Sequence, residues 1–249
     1  VVVNATDVHW QDHLTEMEIP IVHDLPGVGQ NLRDHPQVAV TLKEEEKYLT
    51  SGTEPRLQVG LRYTASGSNL RNDMFIHSGI SATKEGYYIS GDSKPFGFYI
   101  VAALYLAVGA GELKLTSSDP HVQPALDYNY LTEAFDRERL REAVRIIIHI
   151  TNHDAYSEII EERIAPTDAD LSTDNALDAW LRRKVSTSHH ISSTCKMGSD
   201  PMAVVDQHGK VHGLEGLYVA DASIMPNCIR ANTNITAMII GERIADFLR

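Results

Sequence analysis

The 249-residue chain has only two cysteines, Cys195 and Cys228, too few for the disulfide framework of a small secreted domain. No apolar run in it is long enough to span a bilayer, so no helical membrane anchor is expected within it. Basic residues are scarce against acidic ones: 22 Lys and Arg face 34 Asp and Glu, for a formal net charge of −12. Phosphate binding needs clustered cations, so nucleic acid is not an expected partner. No charged-then-apolar leader opens the sequence, and it contains no internal repeat or low-complexity tract. These absences are compatible with a reducing compartment and lead to the expectation of a cytoplasmic chain. What is present, 43% hydrophobic and 22% charged residues, is ordinary globular composition and enough chain for a sizeable core.

The chemistry-bearing residues gather in the last quarter, 186–249. Gly216 to Asp221 (GLYVAD) is a short apolar run closed by a carboxylate, which predicts a buried parallel strand ending at Asp221. Ligands of open α/β sheets sit at the carboxyl ends of strands. Small Ala222 and Ser223 follow, so the Asp221 carboxylate either accepts from the hydroxyls of a polyol or ribose ligand or makes a local turn bond. Beyond Pro226 and Arg230, Asn232-Thr233-Asn234 leads into Ile235, Met238, Ile239, Ile240, Ile244 and Leu248 at helical spacing. The helix N-terminus near Asn232 suits developing negative charge, and Asn232 and Asn234 each serve either there or as an N-cap. Adjacent His189 and His190 point to opposite sides of an extended segment. One of them can act as a general base or as a packed, hydrogen-bonded residue. Cys195, Cys228 and the histidines lack the spacing of a metal site.

Upstream, Trp10, Leu14 and Met17 predict an amphipathic helix within 8–22, before Ile19-Pro20-Ile21-Val22 turns extended. Asp24-Leu25-Pro26-Gly27-Val28-Gly29-Gln30-Asn31-Leu32-Arg33-Asp34-His35 reads as a tight loop with polar side chains. Four β-favouring runs, Gln37 to Leu42, Met74 to Ile80, Phe96 to Val108 and Glu112 to Thr116, predict an antiparallel sheet rather than repeated βαβ units. Its Phe75, His77, Phe98 and Tyr99 either line a substrate wall or pack a core. Residues 111–131 read as a strand, a proline-bounded turn and a helix start. Helices are predicted over Asp136 to Ile150, with Leu140, Val144, Ile147 and Ile148 inward, and over Thr173 to Lys184.

Several of these segments together resemble the glucose-methanol-choline (GMC) flavoprotein oxidoreductases, in the choline dehydrogenase-like branch. His190 with Ser193-Thr194-Cys195-Lys196-Met197-Gly198 is similar to the family's H-x-x-G-T-C-R/K-M-G segment, with Ser193 in place of a glycine. Val204-Val205-Asp206, Val211 to Leu217, Val219 to Pro226, Asn232-Thr233-Asn234 and Gly241 to Asp246 follow in the family's order, and Asp24 to His35 resembles its D-L-P-G-V-G-x-N-L-x-D-H loop. The family's G-x-G-x-x-G turn, which binds the pyrophosphate of FAD, has no counterpart: Gly27-Val28-Gly29 continues as Gln30-Asn31-Leu32. The chain is therefore expected to be a C-terminal portion, with the missing N-terminal half as a possible partner and a tendency to self-associate without it.

The resemblance implies an α/β (α+β) fold, the C-terminal part of a GMC-type FAD-binding fold with an antiparallel-sheet substrate domain. The expected domains are 1–36, a remnant of the FAD-binding domain with its flavin-adjacent loop; 37–185, mainly substrate-binding; and 186–249, the active-site histidine segment and the end of the FAD-binding domain. It implies FAD-dependent oxidation of an alcohol by hydride transfer, with oxygen or another molecule as electron acceptor. His190 is then the base and Asn232 the group that hydrogen-bonds the substrate oxygen, with His189 and Asn234 as their alternates. Asp221, Ala222, Asn232, Thr233 and Asn31 are the expected cofactor contacts, Asn31 and Asp34 supporting their loop. The same scaffold also hosts lyases and a decarboxylase, and an inactive fragment or subunit is a further alternative.

Overall fold

A computed structural model describes residues 14–49, 55, 57–82 and 96–249. The strands among these are β1 (Pro36–Glu44), β2 (Gly60–Tyr63), β3 (Met74–Ala82), β4 (Gly97–Leu104), β5 (Glu112–Lys114), β6 (Ala125–Asp127), β7 (Ile160–Ala165) and β8 (Ser186–Thr187). The helices are α1 (Ala134–Thr151), α2 (Asp168–Leu171), α3 (Asp174–Lys184) and α4 (Thr233–Phe247). They fall into two compact units. Unit 1 takes in the described part of Val1–His35 with Gly109–Tyr130 and His189–Arg249, and unit 2 takes in Pro36–Val108 and Leu131–Ser188.

Unit 2 is built on one antiparallel sheet in the order β2-β3-β4-β1-β7, with β8 also paired to β1. The expected antiparallel sheet is thus present. Every residue of β4 is buried, which is why GFYIVAAL is continuously apolar instead of alternating: both of its faces are covered. Helix α1 packs on β4 and β3 through Leu140, Ala143, Val144 and Ile147, spaced i, i+3, i+4, i+7. Helix α3 starts where Thr173 Oγ1 accepts from Ala176 N at 3.1 Å, and it buries Leu177, Trp180 and Leu181. Strands β2 and β7 carry no clear sequence signal. The first is a four-residue, mostly exposed edge, and the second is broken by the charged run Glu161-Glu162-Arg163 between Ile160 and Ile164.

A charged cluster lies inside unit 2. Arg139, 1% exposed, donates to Asp73 Oδ2 at 2.8 Å and Asp136 Oδ1 at 2.6 Å, and both carboxylates are buried. It also donates to the carbonyls of Leu106 (2.9 Å) and Phe135 (3.3 Å). Asp73 accepts further bonds from Ala65 N and Ser68 Oγ, and Asp136 accepts one from Val108 N. Burial pushes the Asp73 carboxyl up, but the Ser68 hydroxyl, the Ala65 N–H and the Arg139 guanidinium outweigh it and hold the pKa below its ordinary value.

Unit 1 corrects three expectations. The helix start foreseen within 111–131 is instead β6, paired antiparallel with β5, and left-handed φ at Asn129 (51°) and Leu131 (61°) prevents a helix before α1. Gly111 permits this hairpin, because a Cβ there would lie 1.9 Å from Asp127 O. Gly216 to Asp221 forms no parallel strand: Tyr218 makes one antiparallel bridge to Lys210, and the segment is half-buried or exposed. A buried strand needs neighbours for its N–H and C=O groups on both sides, and the described residues supply only this partial pairing. Helix α4 forms as expected, but it buries Thr233 and Ile244 rather than its whole apolar set, leaving Ile235, Met238 and Ile239 exposed. Ile244 joins Leu25, Val28, Val204, Val205, Val211 and Ile224 in the core of this unit. Of the helix expected within 8–22, Leu14 to Glu16 are helical, and the residues before Leu14, Trp10 included, lie outside the described residues.

Candidate active site

The loop 24–35 is locked onto the histidine segment by backbone bonds. Gly29 N donates to Thr194 O at 2.8 Å, and Arg33 and Ser192 exchange N–H···O bonds at 3.0 and 2.9 Å. Asn31 (φ 58°) donates through Nδ2 to Ser193 O at 3.4 Å and Pro226 O at 3.2 Å, while its Oδ1 accepts from Arg33 Nε at 2.9 Å. Its side chain ties three stretches of chain together. Fully buried Ser193 stands at φ 75°, so the position filled by glycine in the resembled motif does require left-handed backbone.

Asp34 is the hub of the cluster. Its Oδ1 accepts from the backbone N–H groups of His35 (2.7 Å) and His190 (2.9 Å), and its Oδ2 from the Tyr130 hydroxyl at 2.5 Å. The His35 ring, 0% exposed, meets His190 edge-on with 4.8 Å between centroids, and the two Nδ1 atoms are 2.8 Å apart. His35 Nε2 lies 2.7 Å from Ile229 O and 3.0 Å from Cys228 Sγ, and the Cys228 thiol faces His190 O at 3.8 Å. Burial lowers the His190 pKa and charge on His189 adds to this, against the raising effect of Asp34. Burial pushes the Cys228 thiol up to about 11, so it stays protonated near neutral pH.

The remaining candidates sit around this cluster. Exposed Asp221 caps the short turn Ala222–Ile224, its Oδ1 accepting from Ser223 N at 2.7 Å, so the local turn bond is made. Ala222 O accepts from Ser193 N at 3.2 Å, which sets that turn beside the histidine segment. Asn232 is the N-cap residue of α4 by position, but its side chain makes no capping bond. It follows Ile229, the carbonyl partner of His35, by three residues. Thr233 is buried, while Asn234 and left-handed His189 (φ 61°) are exposed. The structure therefore draws His190, Asn31 and Ala222 into one bonded cluster, with Asp221 adjoining it and Asn232 and Thr233 at the nearby helix start. Tyr130 and Cys228 are the members that sequence reasoning missed. Neither stands in a recognisable pattern, and only their spatial partners reveal them.

A family model described as "GMC oxidoreductase" matches residues 107–241. The chain belongs to the GMC oxidoreductases. Curated relatives include the oxygen-dependent choline dehydrogenases of Cronobacter sakazakii, 36% identical over 257 residues, and of Escherichia coli, 35% identical over 256. Each alignment covers 95% of this chain and 46% of the relative, so the chain spans about half the length of the curated relatives it matches. Among solved structures, pyridoxine 4-oxidase from Mesorbium loti superposes with a TM-score of 0.82 at 24% identity, covering 95% of this chain and 46% of that one. Formate oxidase of Aspergillus oryzae superposes at 0.81 with 19% identity, covering 95% and 50%. These structures share the GMC fold with this chain. No helix among the described residues is long and apolar enough to cross a membrane.

Proposed function

We propose that the complete polypeptide oxidises the CH–OH group of a small alcohol with FAD as cofactor, and that His190 takes the hydroxyl proton. One observation carries the reading. A half-buried imidazole is kept neutral by burial and is held at its backbone N–H by Asp34 and at ring Nδ1 by His35, as a general base requires. The relatives' printed activities, on choline, pyridoxine and formate, agree with small-molecule oxidation.

The residues present fit a flavin. They offer backbone and amide donors suited to a ring that becomes electron-rich on reduction: the first turn of α4, which receives no side-chain cap from Asn232, would present the positive end of a 15-residue helix to it. Asp221, Ala222, Asn232 and Thr233 would hold the group, with Asn31 bracing the loop behind them. When bound, FAD supplies the acceptor for hydride from the carbinol carbon. His190 removes the hydroxyl proton as negative charge builds on that oxygen, and Asn232 hydrogen-bonds the same oxygen and orients the carbon. Unit 1 is thereby assigned to the cofactor and the antiparallel sheet of unit 2 to the substrate.

The test uses the complete polypeptide loaded with FAD and mixed anaerobically with choline and simple primary alcohols. Alcohol-driven bleaching of the flavin is expected, and His190→Ala should keep the flavin but bleach about 10²–10⁴-fold more slowly. Equal bleaching rates in variant and parent would remove His190 from the role of base.

A further inference from the structure

A base that works through Nε2 must carry its resting proton on Nδ1, and a neutral imidazole in water has no such obligation. In this protein the choice is made by a chain of contacts that begins at a carbonyl. Ile229 O can only accept, so the His35 Nε2 2.7 Å away carries a proton and donates it. Cys228 Sγ, 3.0 Å from the same nitrogen, accepts a share of that N–H through its lone pair, because its own proton is directed to His190 O at 3.8 Å. A ring with 0% exposure disfavours the imidazolium, so His35 is neutral and its Nδ1 bears a lone pair. The 2.8 Å between the two Nδ1 atoms requires one proton between them, and it belongs to His190.

We infer that His35 is a positioning residue: it accepts the Nδ1–H of His190 and so leaves Nε2 of His190 as the basic nitrogen. The inference rests on the reading of His190 as the base, and it adds the reason why one nitrogen of that ring is competent. Asp34 fixes the other degrees of freedom. It gathers the backbone N–H groups of both histidines on a single oxygen, setting where each ring begins, and Tyr130 holds its second oxygen. When Nε2 takes up the hydroxyl proton, the bond to His35 becomes a charge-assisted donor bond, which favours the cation at the moment it forms. The proton later leaves by the same Nε2, and His35 keeps its own proton throughout.

The experiment is long-range ¹H–¹⁵N correlation on the histidine-labelled complete polypeptide at about pH 8, where both rings are neutral, with His190→Gln to assign the signals. The expected result is Nδ1–H on His190 and Nε2–H on His35. His35→Leu should release the His190 ring toward the Nε2–H form and lower kcat/KM by about 10²-fold. His35→Asn, whose Oδ1 stands at the bond distance of Nδ1 from the backbone and still accepts, should keep the Nδ1–H form and most of the activity. His190 found protonated on Nε2 in the parent, an unchanged tautomer in His35→Leu, or His35→Asn behaving as His35→Leu would each overturn the inference. The parent spectrum alone decides the matter if the leucine variant does not fold. If the tautomers are as expected but His190→Gln leaves alcohol turnover intact, the assignment of His190 as base fails while the positioning by His35 stands.

Discussion

Replacing Arg139 by methionine keeps most of the side chain's volume and removes its charge. The guanidinium is 1% exposed and holds two carboxylates that are 0% and 2% exposed, so the variant leaves two buried acids facing each other without a cation. Breaking one buried ion pair costs about 3–5 kcal/mol. The loss should fall at the upper end of that range, because the carbonyl of Leu106 loses its guanidinium donor as well. The penalty also acquires a pH dependence of a definite sign. In the parent, Asp73 titrates below its ordinary value, so its contribution is present above the unfolded carboxylate pKa and is lost as pH falls through the folded one. In the variant the lowering effect of the guanidinium on Asp73 is gone while burial still raises that carboxyl, so protonating it costs less stability than in the parent. Urea unfolding of parent and Arg139→Met at several pH values should therefore show a gap that narrows on going from about pH 7 to pH 4.5. A gap under about 1 kcal/mol, or one that stays constant with pH, would refute the view that this cluster is held together by its charge.

Ser193→Gly should stabilise the chain. Relief of left-handed strain of about 1–2 kcal/mol exceeds the flexibility that glycine adds to the unfolded state, about 0.4–1 kcal/mol, and the bond lost with the hydroxyl is the 3.3 Å contact to Ser192 Oγ. A Tm rise of about 2–4 °C is expected in a thermal melt, and a fall would show that the serine contributes more than strain. Burial lowers the pKa of both His77 and His190. Above about pH 6.5 both are neutral folded or unfolded, and below it the unfolded rings take protons that the folded ones resist. Stability should therefore drop as pH falls through the weakly acid range, and a His77→Gln/His190→Gln double variant should show a shallower drop. Identical slopes in parent and double variant would exclude these two rings as its origin.

The elements legible in the sequence were those whose signal is local. Helices α1 and α3 announce themselves by apolar spacing and, for α3, by the Thr173 cap. Strand β4 does so by an unbroken apolar run, and the catalytic candidates by residue types in a family order. What stayed hidden depends on distant chain. The GLYVAD segment carries the composition of a buried strand, but composition cannot report whether hydrogen-bonding neighbours are present. β6 was obscured by a helix-compatible stretch whose backbone turns left-handed at Asn129 and Leu131. In the site, His190 was visible as a candidate base, whereas the thiol of Cys228 and the hydroxyl of Tyr130 became functional candidates only through Asp34 and His35, far away in sequence.

The pairing of β8 with the start of β1 bears on how this site comes to exist at all. His35 and His190 are separated by 155 residues, and joining them across an open chain is entropically expensive. Within unit 2, however, Pro36 pairs with Thr187 and Gln37 with Ser186. Once that sheet has formed, the two histidines are joined through a closed pair only a few residues away. The remaining loop is shorter by more than an order of magnitude, which lowers the closure cost by about 3 kcal/mol on a logarithmic dependence on length. Closure of the sheet at Pro36–Thr187 and Gln37–Ser186 thus lowers the entropic cost of bringing the imidazole pair together.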